Sequence, residues 1–139
     1  MKKFSEFLLE STHSVKTATI ALFRKKDGNL QVLIGSKRDD NGKKIWVLPG
    51  GRQEKNENLT DTARRELREE TGIYFSGKLE YIDRDDRHIC FAGFSDNLVQ
   101  KSKSGGDLDS AKWVSIDELP KFAFNHGEWI KESRKKLQI

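Results

Sequence analysis

The reading of this chain turns on residues 51–73, Gly51-Arg52-Gln53-Glu54-Lys55-Asn56-Glu57-Asn58-Leu59-Thr60-Asp61-Thr62-Ala63-Arg64-Arg65-Glu66-Leu67-Arg68-Glu69-Glu70-Thr71-Gly72-Ile73. Leu59, Ala63 and Leu67 recur every four residues and make one apolar stripe, which is the pattern of a helix. Asn58 stands before the stripe as a good N-cap, with Asp61 three positions on as partner in a capping-box-like pair. Gly72 supplies the stop. The spacing therefore predicts a helix over Leu59 to Thr71. At about 100° per residue, Glu66, Glu69 and Glu70 fall within an arc of roughly 100° that borders the stripe. Carboxylates held that close repel one another. A divalent cation removes the repulsion, and oxygen-only ligands favour Mg2+ or Mn2+. Composition alone would favour a blander reading, a solvated helix whose acids pair with Arg64, Arg65 and Arg68.

Spacing changes that balance. The segment fits Gly-x5-Glu-x7-Arg-Glu-(aliphatic)-x-Glu-Glu-x-Gly-(aliphatic) at every fixed position, through Gly51, Glu57, Arg65, Glu66, Leu67, Glu69, Glu70, Gly72 and Ile73. With average residue frequencies, a chance match in a chain of this length is on the order of one in ten million. The pattern resembles the signature of the Nudix (MutT-like) hydrolase family. Trp46-Val47-Leu48-Pro49-Gly50 before it and Lys112-Trp113-Val114-Ser115-Ile116-Asp117-Glu118-Leu119-Pro120 after it look like Nudix sequence at corresponding places.

The resemblance implies water attack on a metal-activated phosphorus of a nucleoside diphosphate derivative. Glu66 and Glu70 would be the principal metal ligands. Glu69 would be a further ligand or would take the proton from the attacking water, and the Gly50 carbonyl would be another ligand. Glu57 and Arg65 would form a pair behind these ligands that holds the loop against the helix. Leu67 and Ile73 would pack. Two positions depart from the usual family pattern. Asn56 stands where glycine is frequent, and Asn is the next residue most tolerant of left-handed backbone. Many members place an additional Glu in a far loop, where this chain offers only the shorter Asp107 and Asp109, which could equally be solvated loop acids.

The remaining sequence sets the frame. A chain of 139 residues suits one domain. Equal hydrophobic and charged fractions, 35% each, require a small core and an ionic surface. The net charge of +4 suits anionic ligands but suits a solvated surface better, so no stable nucleic-acid partner is expected. Cys90, alone within Ile89-Cys90-Phe91-Ala92, cannot form an internal disulfide and reads as a core residue. The apolar run near the N-terminus is too short for a secretory segment, and nothing reaches membrane-spanning length. A cytoplasmic protein is expected.

Strands are expected at Val15–Phe23 and Leu30–Ile34, joined as a hairpin by Lys26-Asp27-Gly28-Asn29. More are expected at Leu79–Ile82, His88–Phe94 and Lys112–Val114. Asp117-Glu118-Leu119-Pro120 reads as a brief helical turn. Residues 1–14 read as an arm, with one short helical stretch over 4–10; residues 101–106 read as a loop, and 127–137 as a C-terminal helix with Trp129 and Ile130 inward. Together with the resemblance, this predicts an α/β/α sandwich with a mixed sheet and a loop-helix-loop motif, spanning residues 1–139 as one domain.

Substrate contacts are less determined. Arg38, Arg52 and Arg87 are candidates for phosphate contacts. Trp46, Phe91 and Phe94 could offer a face to a base, although core packing is the commoner fate of such residues. Phe122-Ala123-Phe124-Asn125-His126 resembles a segment of ADP-ribose-type members, and its phenylalanines could equally pack the last helix. A small-molecule nucleotide substrate is expected, with ADP-ribose or a nucleotide sugar favoured. The alternatives are a sanitising nucleoside triphosphate pyrophosphatase of the MutT type and a non-catalytic nucleotide sensor. ADP-ribose-type relatives often dimerise through an extra N-terminal sheet, for which the arm before Val15 is too short, so a monomer or small-interface homodimer is expected.

Overall fold

Strands buried on both faces need apolar residues in both alternating registers, and Ala18-Thr19-Ile20-Ala21-Leu22-Phe23 meets that demand with Thr19 as its one polar residue. The computed structural model describes residues 15–96, 99–100 and 108–139. In chain order these form β1 (Thr17–Lys26), β2 (Asn29–Arg38), β3 (Lys44–Val47), β4 (Gly50–Arg52), α1 (Leu59–Thr71), β5 (Ile73–Tyr74), β6 (Glu80–Arg84), β7 (His88–Phe94), β8 (Val99–Gln100), β9 (Ser110–Ser115), a 3-10 turn (Ile116–Glu118) and α2 (His126–Leu137). The arm over 1–14, the loop over 101–106 and Asp107 lie outside the described residues.

Seven strands make one mixed sheet in the order β3-β2-β1-β7-β6, with β4 also on β1 and β9 also on β2. The β1–β7 pair is parallel and the other pairs are antiparallel. Alternation along β1 and β7 sends Ala18, Ile20, Leu22, Ile89 and Phe91 to one core, where Leu59, Ala63 and Leu67 of α1 close over them. Ala21, Phe23, Cys90 and Ala92 face the opposite core with Trp129 and Ile130 of α2. The result is the α/β/α sandwich. No helix among the described residues is long and apolar enough to cross a membrane.

The central helix has the boundaries its sequence predicts. Asn58 Oδ1 accepts the Asp61 backbone N–H at 2.8 Å, and Gly72 takes φ 76° as the left-handed cap. The hairpin turns on Asp27 and Gly28, both at positive φ (53° and 80°), which matches the right-handed twist of the strands it joins.

Elsewhere the observed elements exceed the expected ones. β1 continues to Lys26. β2 continues past Ile34 to Arg38 because Gly35–Arg38 pair with β3 while Gln31–Ser36 pair with β9 on the other side. β6 is displaced to Glu80–Arg84 and carries an irregularity between Tyr81 and Asp83. α2 begins one residue early, at His126. β4, a glycine-rich strand of three residues, has no local strand signal and exists through its pairing with Thr17–Thr19.

One consequence of this topology positions the site. β1 and β2 pair only over Phe23–Lys26 and Asn29–Val32. Beyond that, β2 stays with β3 and β9, while β1 pairs with β4 and β7, so the sheet opens into a fork. Leu67, fully buried beneath α1, helps hold the helix to the β1 arm of the fork. Leu67→Ala should lower unfolding free energy by about 2–5 kcal/mol in a urea titration, and a loss below about 1 kcal/mol would contradict this packing.

Candidate active site

A cavity of about 370 Å3 occupies the fork. Thr17, Thr19 and His88 line it from β1 and β7, Lys37 and Val47 from β2 and β3, and Leu48 from just beyond β3. Gly50, Gly51 and Arg52 of β4 bring it to α1, which contributes Glu66 and Glu70. Both glycines are required for this approach. A Cβ at Gly51 would lie 2.5 and 2.6 Å from the two Glu66 carboxylate oxygens, and one at Gly50 would lie 2.5 Å from the Ala18 carbonyl oxygen. Side-chain-free backbone thus lets carboxylates from α1 reach a cavity on the sheet. Glu70 is 2% exposed and its Oε1 accepts the Gly50 N–H at 3.0 Å, so it sits deeper than the edge position its helical angle suggests.

Arg65 organises the surroundings. Its Nε and one terminal nitrogen donate to Glu57 Oε2 and Oε1 at 2.8 and 3.0 Å, a two-pronged pair that closes the loop onto the helix. The same guanidinium donates to the Arg52 carbonyl at 2.8 Å, to Glu66 Oε1 at 2.9 Å and to Glu69 Oε2 at 3.2 Å. Glu57 also accepts from Thr62 Oγ1 at 2.6 Å and from the Glu54 N–H at 3.2 Å. Asn56, just before it, adopts φ 66°, the left-handed backbone for which Asn substitutes for glycine.

The described residues fit a hard divalent cation in part. Glu66 and Glu70 are oxygen donors on one cavity wall beside the Gly50-Gly51 backbone, and the room at Gly51 is filled by a carboxylate. Among the described residues, no three carboxylate, His or Cys side chains stand as a ready metal-ligating group. The set predicted from the helical arc is therefore divided: Glu66 and Glu70 face the cavity, while Glu69 turns to Arg65.

The candidate substrate contacts separate in the same way. Arg52 lines the cavity. Arg38 is exposed and donates to the Gly42 carbonyl at 3.2 Å, and Trp46 is half-buried with the Lys44 and Lys112 amines each 4.7 Å from its ring centroid; neither is in the cavity wall. Phe91 has no exposed surface and packs under α1, so its assignment to substrate binding is corrected to core. Phe94 is half-buried on the α2 side, Arg87 is exposed, and Asp109 is exposed with its N–H on the Ser36 carbonyl at 2.8 Å. Phe124 and His126 do line the cavity. Thr17, Thr19, Lys37 and His88 were not anticipated. They reach the wall through strand pairing, and only the alternation of Lys37 with Arg38 along β2 carried a local signal.

The family model described as NUDIX domain matches residues 13–133. The chain belongs to the Nudix family. Among curated Nudix-type relatives, it is 31% identical over 109 residues to an ADP-ribose pyrophosphatase of Methanocaldococcus jannaschii, covering 73% of this chain and 64% of that protein. It is 32% identical over 101 residues to the phosphatase NudJ of Shigella boydii, covering 67% of this chain and 66% of that one. The match thus spans just under two thirds of either relative. The NUDIX domain of Shewanella oneidensis NrtR, solved in complex with ADP ribose, superposes with a TM-score of 0.74 at 22% identity, covering 98% of this chain and 99% of that chain. At that identity the likeness is one of fold. Members of the family generally use divalent metal ions.

Two groups of this Nudix site tie its stability to pH. The hydrogen bond from Arg65 pulls the Glu57 carboxyl from its ordinary 4.5 down to about 2. Burial, reinforced by nearby His88 and Lys37, pushes His126 from 6.5 down to about 4. Its Nδ1 accepts the Leu48 N–H at 2.9 Å, which requires an unprotonated nitrogen there. Both folded-state values lie below the ordinary ones, so the unfolded chain binds more protons in each window and acid lowers stability. The Glu57 contribution is complete above about pH 4.5 and is lost as pH falls toward 2. That of His126 is complete above about 6.5 and is lost toward 4. Urea titrations should show stability falling from pH 6.5 to 4 by on the order of 2 kcal/mol more in the parent than in His126→Asn. Equal slopes in the two proteins would refute the buried neutral imidazole.

Proposed function

We propose that this chain hydrolyses a diphosphate linkage in a nucleoside diphosphate derivative, with Mg2+ as the working cation and ADP-ribose or a nucleotide sugar as the favoured substrate class. The observation that carries the reading is the meeting of Glu66 and Glu70 with the Gly50-Gly51 backbone on one wall of the cavity. The signature carboxylates are all present, which favours an enzyme over a nucleotide sensor. The names of the relatives, one an ADP-ribose pyrophosphatase, favour the substrate class.

In this reading Glu66, Glu70 and the Gly50 carbonyl would hold the cation. When bound, it polarises phosphoryl oxygens and acidifies water. Arg65 keeps Glu66 oriented and shares its charge. Glu57 fixes Arg65 and so acts through it. Glu69, which accepts from Arg65 at 3.2 Å, would serve as a further ligand or take the water proton once its side chain leaves Arg65. Lys37 and Arg52 line the cavity where a second phosphate would lie, and they neutralise it.

A hydrolysis panel run with and without Mg2+ tests this directly. AMP and ribose 5-phosphate should appear from ADP-ribose. Pyrophosphate released from a nucleoside triphosphate, with ADP-ribose untouched, would favour the sanitising alternative. Glu66→Gln and Glu70→Gln should each cut turnover at least about 100-fold while circular dichroism stays unchanged. Near-normal turnover in both would remove the assignment of the site.

A further inference from the structure

Two imidazoles line the cavity with their tautomers fixed in opposite senses. His126 is 6% exposed, and its Nδ1 accepts the Leu48 N–H at 2.9 Å. Burial holds the ring neutral above about pH 4, so its proton sits on Nε2. Among the described residues nothing accepts that N–H. It is not sealed from solvent either, since Arg134 Nε is the one enclosed side-chain nitrogen there without a partner. The cavity is therefore where His126 donates. Stacking on Trp129, with 5.4 Å between ring centroids and 22° between planes, fixes its direction.

His88 is the converse. Its Nδ1 lies 3.1 Å from Asp85 Oδ1, which also accepts the His88 and Arg87 backbone N–H groups at 2.8 and 2.9 Å. A carboxylate only accepts, so the proton of the neutral ring sits on Nδ1 and leaves Nε2 as an acceptor. The Phe124 ring neighbours both imidazoles, 6.4 Å from His88 and 5.6 Å from His126. One cavity thus presents an uncharged donor and an uncharged acceptor.

This pair of demands selects the ligand. An ionised phosphate has no proton to donate to His88, and an ammonium cannot accept from His126, whereas a hydroxyl does either. Leu48, which holds His126, is two residues from Gly50, about 7 Å of chain. In a nucleotide whose diphosphate lies beside Gly50 and Glu66, the group at that remove is the ribose. We propose that His126 and His88 read the vicinal hydroxyls of that ribose, His126 donating to one and His88 accepting from the other, so that the site selects ribonucleotides over deoxyribonucleotides. The inference rests on the reading of the cavity as a nucleotide diphosphate site and names the sugar it takes.

Calorimetric titration at pH 8 in the presence of Mg2+ with AMP, 2′-deoxy-AMP, 3′-deoxy-AMP and inosine monophosphate tests it. AMP should bind at least about fivefold more tightly than either deoxy compound, as one lost hydrogen bond provides. Inosine monophosphate, which alters only the base, should match AMP. His88→Phe should abolish the preference for ribose and leave 2′-deoxy-AMP affinity unchanged, and His88→Gln, which keeps an acceptor, should retain it. Nitrogen NMR of the free protein should show the ring proton on Nδ1 of His88 and on Nε2 of His126. The pair is overturned by the opposite tautomer at either ring, by deoxy compounds that bind as tightly as AMP, or by a full preference surviving in His88→Phe. Discrimination against inosine monophosphate with the deoxy compounds tolerated would place the contacts on the base and overturn it as well. Ribose preference without any hydrolysis would remove the proposed reaction and leave the pair standing. Hydrolysis without ribose preference would do the reverse.

Discussion

The guanidinium of Arg65 is the constraint on which the site depends. It lies among four glutamates: Glu57 and Glu66 at hydrogen-bond distance, Glu69 at 3.2 Å and Glu54 at 3.5 Å. Glu57 and Arg65 side chains are only 14% and 13% exposed. Their interaction is therefore far less screened than a surface pair, and the rigid fork of the guanidinium fixes angle as well as distance. Without it, a segment carrying Glu54, Glu57, Glu66, Glu69 and Glu70 would be driven apart by like charge. With it, the acids are gathered while Glu66 and Glu70 still face the cavity.

The glycines are the complementary constraint. Arg65 pulls the loop inward through Glu57 and the Arg52 carbonyl, and the approach succeeds only because Gly50 and Gly51 present no side chain to Ala18 and Glu66. The opening of the sheet completes the arrangement. Because β1 leaves β2 after a short pairing, threonines of β1 and a lysine of β2 face each other across a space that a fully paired sheet would close.

Much of this was legible in the sequence, and the limits have a physical pattern. The helix from Leu59 to Thr71, its Asn58 cap and its Gly72 stop are local features, encoded within a few residues of where they act. The pairing of Glu57 with Arg65 was legible from the family pattern, while its two-pronged geometry was not. What local reading misses is whatever long-range pairing creates. β4 has three residues, two of them glycine, and is a strand only because Thr17–Thr19 lie alongside it. His88 and Thr17 share a cavity because β7 and β1 run parallel in register, which no spacing along the chain reveals. Phe91 resembled a base platform by residue type, yet alternation along β7 turns it beneath α1, while His88, three residues earlier and so on the opposite face of the strand, lines the cavity.

The central claim is that Glu66 and Glu70 together make a cation site at the Gly50-Gly51 backbone. Its most direct test is binding of Mn2+ in the absence of any nucleotide, followed by electron paramagnetic resonance of the free ion. Glu66→Gln and Glu70→Gln should each weaken the tightest site at least about tenfold, because each removes one charged oxygen ligand. Mn2+ affinity equal to that of the parent protein in both variants would contradict the account.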